Sequence, residues 1–285
     1  MSDEDAQERL VERAGAWRVV VDEVFETVTS LVAYGRCGSR AVVLKIVKQQ
    51  GDEWESGDVL KAFDANGMVR TYEHVPGAIL MERLSPGNSL VDLAISDRDE
   101  EATAVVAAVI DAIATSRDAG SHACPTVQDW GRGFDKYLAT ADESISRDLV
   151  SEAHHMFEEL CQSMSNARLL HGDLQHSNIL FDEERGWVAI DPKGVIGEIE
   201  YEIGAALRNP REAPLVFTSP ATIERRIRQL SNALELEPRR VLNWAFAQAV
   251  LSAIWVIEDG GQLEANDPTI ALAETTRRML PSFSP

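Results

Sequence analysis

The chain has 285 residues and a formal net charge of −20, with 27 basic against 47 acidic side chains. This acidity excludes electrostatic attraction to nucleic acid, or to an anionic membrane surface, as the default mode of binding. A hydrophobic content of 45% is that of a globular protein rather than a disordered acidic tail. The composition therefore indicates a soluble, folded protein whose surface would favour cationic partners over anionic ones.

Length and cysteine content indicate one large or two modest domains in a reducing compartment. No apolar run approaches the roughly 20 residues of a membrane span, and the first residues lack the features of a secretory signal. Cys37, Cys124 and Cys161 are widely spaced, which predicts free thiols rather than disulfides or a zinc site. We therefore expect a cytoplasmic protein with neither a membrane nor a nucleic-acid partner. The sequence leaves its oligomeric state open.

Strand signals dominate residues 18–84. Runs rich in β-branched residues, separated by polar or Gly positions, predict strands, and Asn66-Gly67 predicts the end of a short helix. Pro76-Gly77 predicts a turn between the last two strands. The predicted strands are Val19–Val21, Phe25–Val32, Ala41–Val47, Met68–Tyr72 and Ala78–Leu84, and the predicted helix is Glu53–Phe63.

After Ser85-Pro86-Gly87 the pattern becomes helical. Two short apolar runs, Ile179–Phe181 and Trp187–Ile190, interrupt it and predict a small hairpin. The predicted long helices are Asp99–Ser116, Ile145–Met164, Thr222–Leu234, with Ser219-Pro220 at its start, and Arg239–Ile257. We therefore predict a β-rich amino-terminal lobe of residues 1–84 and a mainly helical lobe of residues 85–285.

Polar residues at both ends of the predicted hairpin provide the clearest chemical signal. His171-Gly172-Asp173 precedes Asn178 by a few residues, and Asp191 follows the second strand. Phosphoryl transfer needs an acid that orients a hydroxyl, together with oxygen ligands that hold Mg²⁺ on the phosphates. Because one hairpin separates Asn178 from Asp191, both could reach the same ion.

These residues resemble the aminoglycoside phosphotransferases, and specifically the streptomycin 6-phosphotransferase branch, also described as aminoglycoside and hydroxyurea resistance kinases. The resemblance extends from about residue 19 to residue 260. It implies an α+β, two-lobed protein-kinase-like fold with a β-rich N-lobe and a mainly helical C-lobe. The matching strings are His171–Asn178, Ala189–Gly194, Gly197-Glu198, Leu207–Pro210, Leu80–Leu84, Gln128–Trp130 and Leu251–Trp255.

Two features differ from those of regulated protein kinases. Gly172 occupies the position where their catalytic loop has an Arg that binds an activation-loop phosphate. Little more than ten residues separate Asp191 from the next helical stretch, and no Ala-Pro-Glu sequence follows. The chain therefore resembles a constitutively competent small-molecule kinase.

The resemblance implies an enzyme that uses ATP and Mg²⁺. Asp173 would orient the acceptor hydroxyl and take its proton, His171 would brace the loop, and Asn178 and Asp191 would hold Mg²⁺. Lys45 would bind the nucleotide phosphates, in preference to Lys48.

The partner of Lys45 would be Glu55, with Glu53 as the alternative. Backbone groups between Glu82 and Leu84 would bind the adenine edge. Gly35 and Gly38 fit either a phosphate-covering loop or an ordinary hairpin turn.

The implied acceptor is streptomycin, phosphorylated at the 6-hydroxyl of its streptidine ring, which would confer resistance. Hydroxyurea, an amino alcohol or a sugar amine is an alternative acceptor. A catalytically silent ATP-binding protein is a further alternative, against which the intact Lys45, Asp173, Asn178 and Asp191 argue.

Gln248, Ser252, Trp255 and Asp259 form a stripe on the last long helix, either lining a cleft or marking its solvated edge. A cationic acceptor would be bound by carboxylates and aromatic faces. The candidate acceptor-binding residues are Asp129, Trp130, Ser252, Trp255 and Glu258.

Overall fold

The computed structural model describes residues 3–51, 53–114, 124–140, 142–264 and 267–283. Its amino-terminal part is a five-stranded antiparallel sheet with strand order β1-β2-β3-β5-β4, accompanied by helices α1 and α2. The elements are α1 (Asp3–Ala16), β1 (Val20–Glu26), β2 (Ser30–Cys37), β3 (Arg40–Val47), α2 (Ser56–Ala62), β4 (Thr71–Val75) and β5 (Ala78–Glu82).

The two faces of this sheet have different neighbours. On β3, Val42, Leu44 and Ile46 are buried against the apolar side of α1, which contributes Ala6 and Leu10. Because side chains alternate along a strand, Lys45 lies on the opposite face. That face is directed toward the carboxy-terminal part of the chain, where Lys45 contacts Asp191.

In this region one predicted strand was wrong and one helix was not predicted. The predicted strand Phe25–Val32 is divided between β1 and β2, because the chain reverses where the amide of Thr27 bonds to the carbonyl of Ser30 at 2.8 Å. The β-branched residues of this turn imitate a continuous strand in the sequence. Helix α1 was not predicted, because its buried apolar contribution is small.

The carboxy-terminal part is mainly helical and contains two small sheets, with strand orders β6-β8-β9 and β10-β7. Its strands are β6 (Pro86–Ser89), β7 (Arg168–Leu170), β8 (Ile179–Asp182), β9 (Gly186–Ala189) and β10 (Val195–Gly197). Its helices are α3 (Val91–Ile95), α4 (Asp99–Ala114), α5 (Val127–Ala139), α6 (Arg147–Gln162), α7 (Ile199–Leu207), α8 (Pro214–Phe217), α9 (Pro220–Leu234), α10 (Pro238–Glu258) and α11 (Pro268–Met279).

The four long helices and the hairpin predicted from the sequence are present as α4, α6, α9, α10 and β8–β9. The predicted end of the first helix at Ser116 lies outside the described residues. Helices α5, α7 and α11 were not predicted. Two glycines interrupt the helical signal of α5, and glycine disfavours helix in a sequence-level analysis.

Helix α10 is the centre of the carboxy-terminal core, with α5, α6, α7, α9 and α11 packed around it. It is long and apolar enough to span a membrane, but 72% of its most apolar window is buried inside the protein. Its composition is therefore that of a core helix. Residues 244–254 are buried, whereas both ends of the helix are partly accessible and Glu258 in the last turn is exposed.

Candidate active site

Lys45 lies between the two parts of the molecule, with one carboxylate on each side. Its Nζ is 2.8 Å from Oε2 of Glu53 and also contacts Oδ1 of Asp191. Burial alone would lower the pKa of Lys45, but the ion pairs with Asp191 and Glu53 outweigh it and raise the pKa above its ordinary value. The ammonium group is therefore a fixed cation, suited to binding phosphate oxygens.

The acidic partner on the sheet side is Glu53, the alternative in the sequence analysis, and not Glu55. Glu55 is the exposed N-cap residue of α2. Glu53 precedes the helix, where its carboxylate also lies 3.5 Å from the Ser30 hydroxyl. The choice of Glu55 assumed that the partner belongs to the helix, whereas the turn before the helix supplies it.

The loop between β7 and β8 is braced by His171, as predicted. Nε2 of His171 donates to the Ile190 carbonyl at 2.8 Å, and its Nδ1 accepts the amide of Asp173 at 3.2 Å. Burial lowers the pKa of His171, so the ring is neutral and acts as donor and acceptor at once. The ring thereby joins Asp173 to the segment that leads into Asp191.

Asn178 and Asp191 are brought to adjacent backbone positions. The amide of Ile190 bonds to the Asn178 carbonyl at 2.9 Å, and Nδ2 of Asn178 donates to the Asp173 carbonyl at 2.9 Å. That bond orients the Asn178 side chain and leaves its Oδ1 as an available oxygen. Asp191 has a φ of +62°, a conformation that non-glycine residues adopt rarely and often at functional sites.

These two side chains fit Mg²⁺. The ion takes oxygen ligands, and proteins commonly supply only one or two while phosphates and water complete the shell. No group of three or more His, Cys, Asp or Glu side chains suited to a metal exists within the described part of the chain. The donors present therefore match an ion that is shared with a nucleotide rather than held by a protein cage.

A buried carboxylate lies beneath the catalytic loop. Both oxygens of Glu202 on α7 are 3.2 Å from the amide nitrogen of Gly172. Burial raises the pKa of Glu202 to about 7, although the backbone hydrogen bond from Gly172 acts in the opposite direction. Glu202 thus supports the loop backbone.

Glu82 and Leu84 lie at the junction between the two parts of the chain. The carboxylate of Glu82 contacts Arg185 and accepts the amide of Arg70 at 2.8 Å, while the Leu84 side chain is buried in the core. Both side chains have structural partners. Binding of the adenine edge by the backbone of this segment stays a prediction.

The turn containing Gly38 is remote from Lys45. Gly35 lies inside β2, and Gly38 belongs to the β2–β3 hairpin turn at the opposite end of β3 from Lys45. The turn at the Lys45 end joins β1 to β2, because Ser30 pairs with Val47 in the sheet register. The hairpin-turn alternative is therefore the one that the structure bears out.

A cavity of about 250 Å³ opens beside the catalytic loop. Its aromatic wall consists of Trp130 and Trp255, whose rings meet edge to face with centroids 5.5 Å apart. Trp130 lies against Gly172, where a Cβ atom would be only 2.8 Å from the indole. The absence of a side chain at position 172 therefore brings this wall next to Asp173. The lining residues are Asp129, Trp130, Gly133, Lys136, Lys193, Trp255, Glu258 and Asp259.

The cavity is not uniformly acidic. Three carboxylates line it together with the ammonium groups of Lys136 and Lys193, and Lys136 lies 3.6 Å from Glu258. Asp129 has structural partners: its carboxylate accepts the amide of Thr126 at 2.9 Å and pairs with Arg132. Glu258 and Asp259, at the end of α10, are thus the acids best placed to meet a ligand.

The helical stripe predicted on α10 is divided by the structure. Trp255 and Asp259 line the cavity, whereas Gln248 and Ser252 are buried. The middle of α10, residues 244–254, is enclosed by neighbouring helices, and the cavity is lined by the carboxy-terminal end of the helix. The structure thus brings Trp130, Trp255 and Glu258 together and leaves Ser252 in the interior.

The sequence analysis missed one charged neighbour of Asp173. Nη2 of Arg208, at the end of α7, lies 3.5 Å from Oδ1 of Asp173, and the Arg208 side chain is buried. The available signal was a cation that directly follows the largely apolar Ile199–Leu207 segment. Such a position predicts a buried and therefore paired charge.

Comparison with known proteins places these observations in a family. A sequence model described as aminoglycoside/hydroxyurea antibiotic resistance kinase matches residues 16–260. A streptomycin 3''-kinase from Klebsiella pneumoniae is 30% identical over 249 residues, covering 86% of this chain and 91% of that protein. A streptomycin 6-kinase from Streptomyces griseus is 30% identical over 226 residues, covering 75% and 70%.

Solved structures confirm the fold. An aminoglycoside phosphotransferase APH(4)-Ia, in a ternary complex with ADP and hygromycin B, superposes with a TM-score of 0.64 at 16% identity, covering 98% of each chain. The choline kinase LicA from Streptococcus pneumoniae gives 0.64 at 13% identity, covering 97% of this chain and 99% of that one. The α+β, two-lobed protein-kinase-like fold expected from the sequence is therefore present.

Proposed function

Because this chain belongs to the aminoglycoside/hydroxyurea antibiotic resistance kinases, we propose that it transfers the γ-phosphate of ATP to a hydroxyl of a cationic small molecule. The proposal depends on one observation: contacts between the two lobes and along the β7–β8 loop bring together Lys45, Asp173, Asn178 and Asp191. Phosphoryl transfer depends on positioning and charge neutralisation, which this set of side chains supplies.

Each residue has one part in this proposal. Asp173 orients the acceptor hydroxyl and takes its proton while the new O–P bond forms and the bond to the β,γ-bridging oxygen breaks. Asn178 and Asp191 hold Mg²⁺, which neutralises phosphate charge when bound. Lys45 binds the nucleotide phosphates, and the backbone between Glu82 and Leu84 binds the adenine edge.

The chain is divided accordingly. Residues 1–84 form the nucleotide-binding lobe, and residues 85–285 form the catalytic and acceptor-binding lobe. This division is supported by β6, which begins at Pro86 and pairs with β8 rather than with the amino-terminal sheet. The protein acts in the cytoplasm, where ATP is available and its three cysteines stay reduced.

The proposed acceptor is streptomycin, phosphorylated at the 6-hydroxyl, with resistance as the consequence. Trp130, Trp255 and Glu258 support a cationic acceptor, because indole faces and a carboxylate attract guanidinium groups. The two streptomycin kinases compared above act at different hydroxyls according to their names. Which hydroxyl is phosphorylated is therefore the most specific part of the proposal.

ADP release measured over a panel of acceptors tests the proposal. The panel contains streptomycin, other aminoglycosides, hydroxyurea, amino alcohols and sugar amines, and NMR of the phosphorylated product identifies the modified hydroxyl. We expect turnover with streptomycin and a phosphate on the 6-hydroxyl. Turnover with another panel member alone would reassign the acceptor. ATP binding without any turnover would favour a catalytically silent ATP-binding protein.

The Asp173→Ala variant tests the role of the base. We expect it to abolish transfer, because the acceptor hydroxyl loses the group that orients it and takes its proton, while ATP binding stays close to that of the wild type. The melting temperature should fall, because the buried Arg208 loses its carboxylate partner, but the protein should stay folded at the assay temperature. Calorimetry with ATP and a thermal melt supply the controls. Near-normal turnover in this variant would contradict the assignment of Asp173.

A further inference from the structure

Arg208 is a buried cation beside the proposed base. It is 7% exposed, and its Nη2 lies 3.5 Å from Oδ1 of Asp173. Its Nη1 donates to Oε1 of Gln248 at 2.7 Å. The guanidinium group is planar and stays protonated in proteins. The hydrogen bond from Nη1 to Gln248 therefore fixes the direction in which Nη2 points toward Asp173.

The position of Gln248 is itself determined by the packing of α7 against α10. Its Nε2 donates to the Tyr201 carbonyl at 3.2 Å, and Gln248 is only 1% exposed. Gly204 makes this approach possible, since a Cβ atom there would lie 1.8 Å from Oε1 of Gln248. A continuous chain of polar contacts thus leads from the helix backbone through Gln248 and Arg208 to Asp173.

Within the described part of the chain, Asp173 has one other side-chain contact that could orient its carboxylate. Its Oδ2 lies 3.4 Å from Nε2 of Gln175, at the long limit of a hydrogen bond. Its amide is bonded to His171, which fixes the backbone and leaves the side-chain torsions free. Arg208 is thus the charged group that holds one oxygen of this carboxylate.

We propose that Arg208 is a positioning residue that holds Oδ1 of Asp173, so that Oδ2 is directed to the incoming hydroxyl. The inference rests on the proposed role of Asp173 as the base. The hydroxyl proton passes to Oδ2 of Asp173, and Arg208 exchanges no proton. The contact also joins the base to α10, the helix whose last turn lines the acceptor cavity.

The alternative is a buried ion pair with a purely structural role. Such a pair would change stability but not the turnover of the folded enzyme. Arg226 offers a control, because its guanidinium is also buried but pairs with Asp99 and donates to the carbonyls of Ala206 and Asn209 at the end of α7, without contact to Asp173. Comparing Arg208→Gln with Arg226→Gln therefore separates positioning from stability.

In Arg208→Gln we expect kcat to fall about 10- to 100-fold, because a small misplacement of a reacting group costs up to about 100-fold. The acceptor KM and the Kd for ATP should stay within about threefold of the wild type. Arg208→Lys should restore part of kcat. Arg226→Gln should lower the melting temperature and leave kcat of the folded protein within about twofold. Equal loss of kcat in Arg208→Gln and Arg226→Gln would overturn the proposal.

If Arg208→Gln does not fold, Gln248→Met tests the same chain of contacts. It removes the oxygen that holds Arg208 while leaving Arg208 and Asp173 in place. We expect a smaller loss of kcat, about 3- to 10-fold, again with KM unchanged. An unchanged kcat in a folded Gln248→Met variant would contradict the proposed chain.

A double-mutant cycle with Asp173→Asn decides whether Arg208 acts through Asp173. In that background Arg208→Gln should reduce the remaining rate by less than about twofold, and an undiminished loss would refute the inference. ATP hydrolysis without acceptor gives a second readout for the same variants, because water then replaces the hydroxyl. If no panel acceptor is phosphorylated, the acceptor assignment fails while the hydrolysis rates still decide the role of Arg208.

Discussion

Lys45 has two acidic partners, one from each lobe. Glu53 precedes α2 in the amino-terminal lobe, and Asp191 follows β9 in the other. The ammonium group therefore joins the part that is proposed to bind the nucleotide to the part that carries the proposed metal ligands. Loss of either partner would leave a buried charge without full compensation.

Glu53→Gln and Glu55→Gln form a matched pair of variants at this site. Because Glu53 contacts Lys45 and Glu55 is an exposed helix cap, only the first should impair catalysis. A hydrogen bond to a charged group contributes about 1.5–3 kcal/mol. We expect a loss of about 10- to 100-fold in kcat/KM for ATP in Glu53→Gln and less than about twofold in Glu55→Gln. Steady-state kinetics at varied ATP measures both, and the reverse order would restore Glu55 as the partner.

The spacing of the two glutamates could not decide between them. Both lie close to the start of α2, and a helical register places either one near the strand lysine. The turn before the helix decides the matter: the amide of Ser56 bonds to the Glu53 carbonyl, and the Glu53 carboxylate lies near Ser30 and Lys45. A hydrogen-bonded turn of this kind leaves no clear pattern in the sequence.

At the scale of elements, α10 combines two roles along its length. Its middle is core, with Gln248 and Ser252 buried, and its last turn forms part of the proposed acceptor cavity. Although the polar residues are evenly spaced along one face of α10, only those near its carboxy-terminal end therefore line the cavity. Helix α5 supplies the opposing wall through Trp130, which is in edge-to-face contact with Trp255.

Glu258→Gln, with Ser252→Ala as its control on the same helix, tests this division. An exposed ion pair contributes about 0.2–1 kcal/mol, so KM for a cationic acceptor should increase by up to about fivefold in Glu258→Gln. Ser252→Ala should leave KM unchanged, because Ser252 does not line the cavity. The two KM values are compared at low salt, where screening is weakest. An effect in Ser252→Ala alone would place the acceptor deeper along α10.

At the scale of the whole molecule, the net charge of −20 is not concentrated at the proposed acceptor cavity. The cavity pairs three carboxylates with two lysines, and Asp129 is already bonded to the start of α5. The overall charge therefore acts through the long-range field, while local recognition depends on a few side chains. In the proposed function, Lys45 and the metal ion would accommodate the anionic nucleotide within this field.

The stability of the molecule should depend on pH through Glu202. Its pKa is raised from 4.5 to about 7 in the folded protein, so the unfolded chain releases this proton at lower pH than the folded one. Glu202 therefore contributes its full stability below about pH 4.5, and this contribution is lost as the pH rises toward 7. The loss amounts to about 3 kcal/mol.

Denaturant unfolding of the wild type and of Glu202→Gln at a series of pH values measures this contribution. Because glutamine does not titrate, the difference in unfolding free energy between the two proteins should change by about 3 kcal/mol between pH 4.5 and 7. The unfolding free energy of the wild type should fall relative to that of the variant as the pH rises. A difference that is independent of pH would show that Glu202 has an ordinary pKa in the folded state.

The sequence by itself determined the elements whose signal is local. The long helices have a strong apolar period, and the hairpin β8–β9 is bounded by polar residues at fixed positions. The spacing of Asp173, Asn178 and Asp191 around that hairpin was therefore readable as a phosphoryl-transfer pattern. The same residues also indicated the family, because the proposed catalytic groups lie on one short segment and are recognised by their spacing.

Only the tertiary structure decided which groups touch across distant segments. Arg208 is 35 residues from Asp173 and Glu53 precedes its helix, so neither contact follows from local spacing. The cavity likewise joins the end of α10 to α5 and to the segment after Asp191. Such contacts arise from how helices pack, and packing depends on the shapes of many side chains at once. Local sequence patterns thus indicate the chemistry of the chain, whereas the packing of the folded core determines how its reactive groups are oriented.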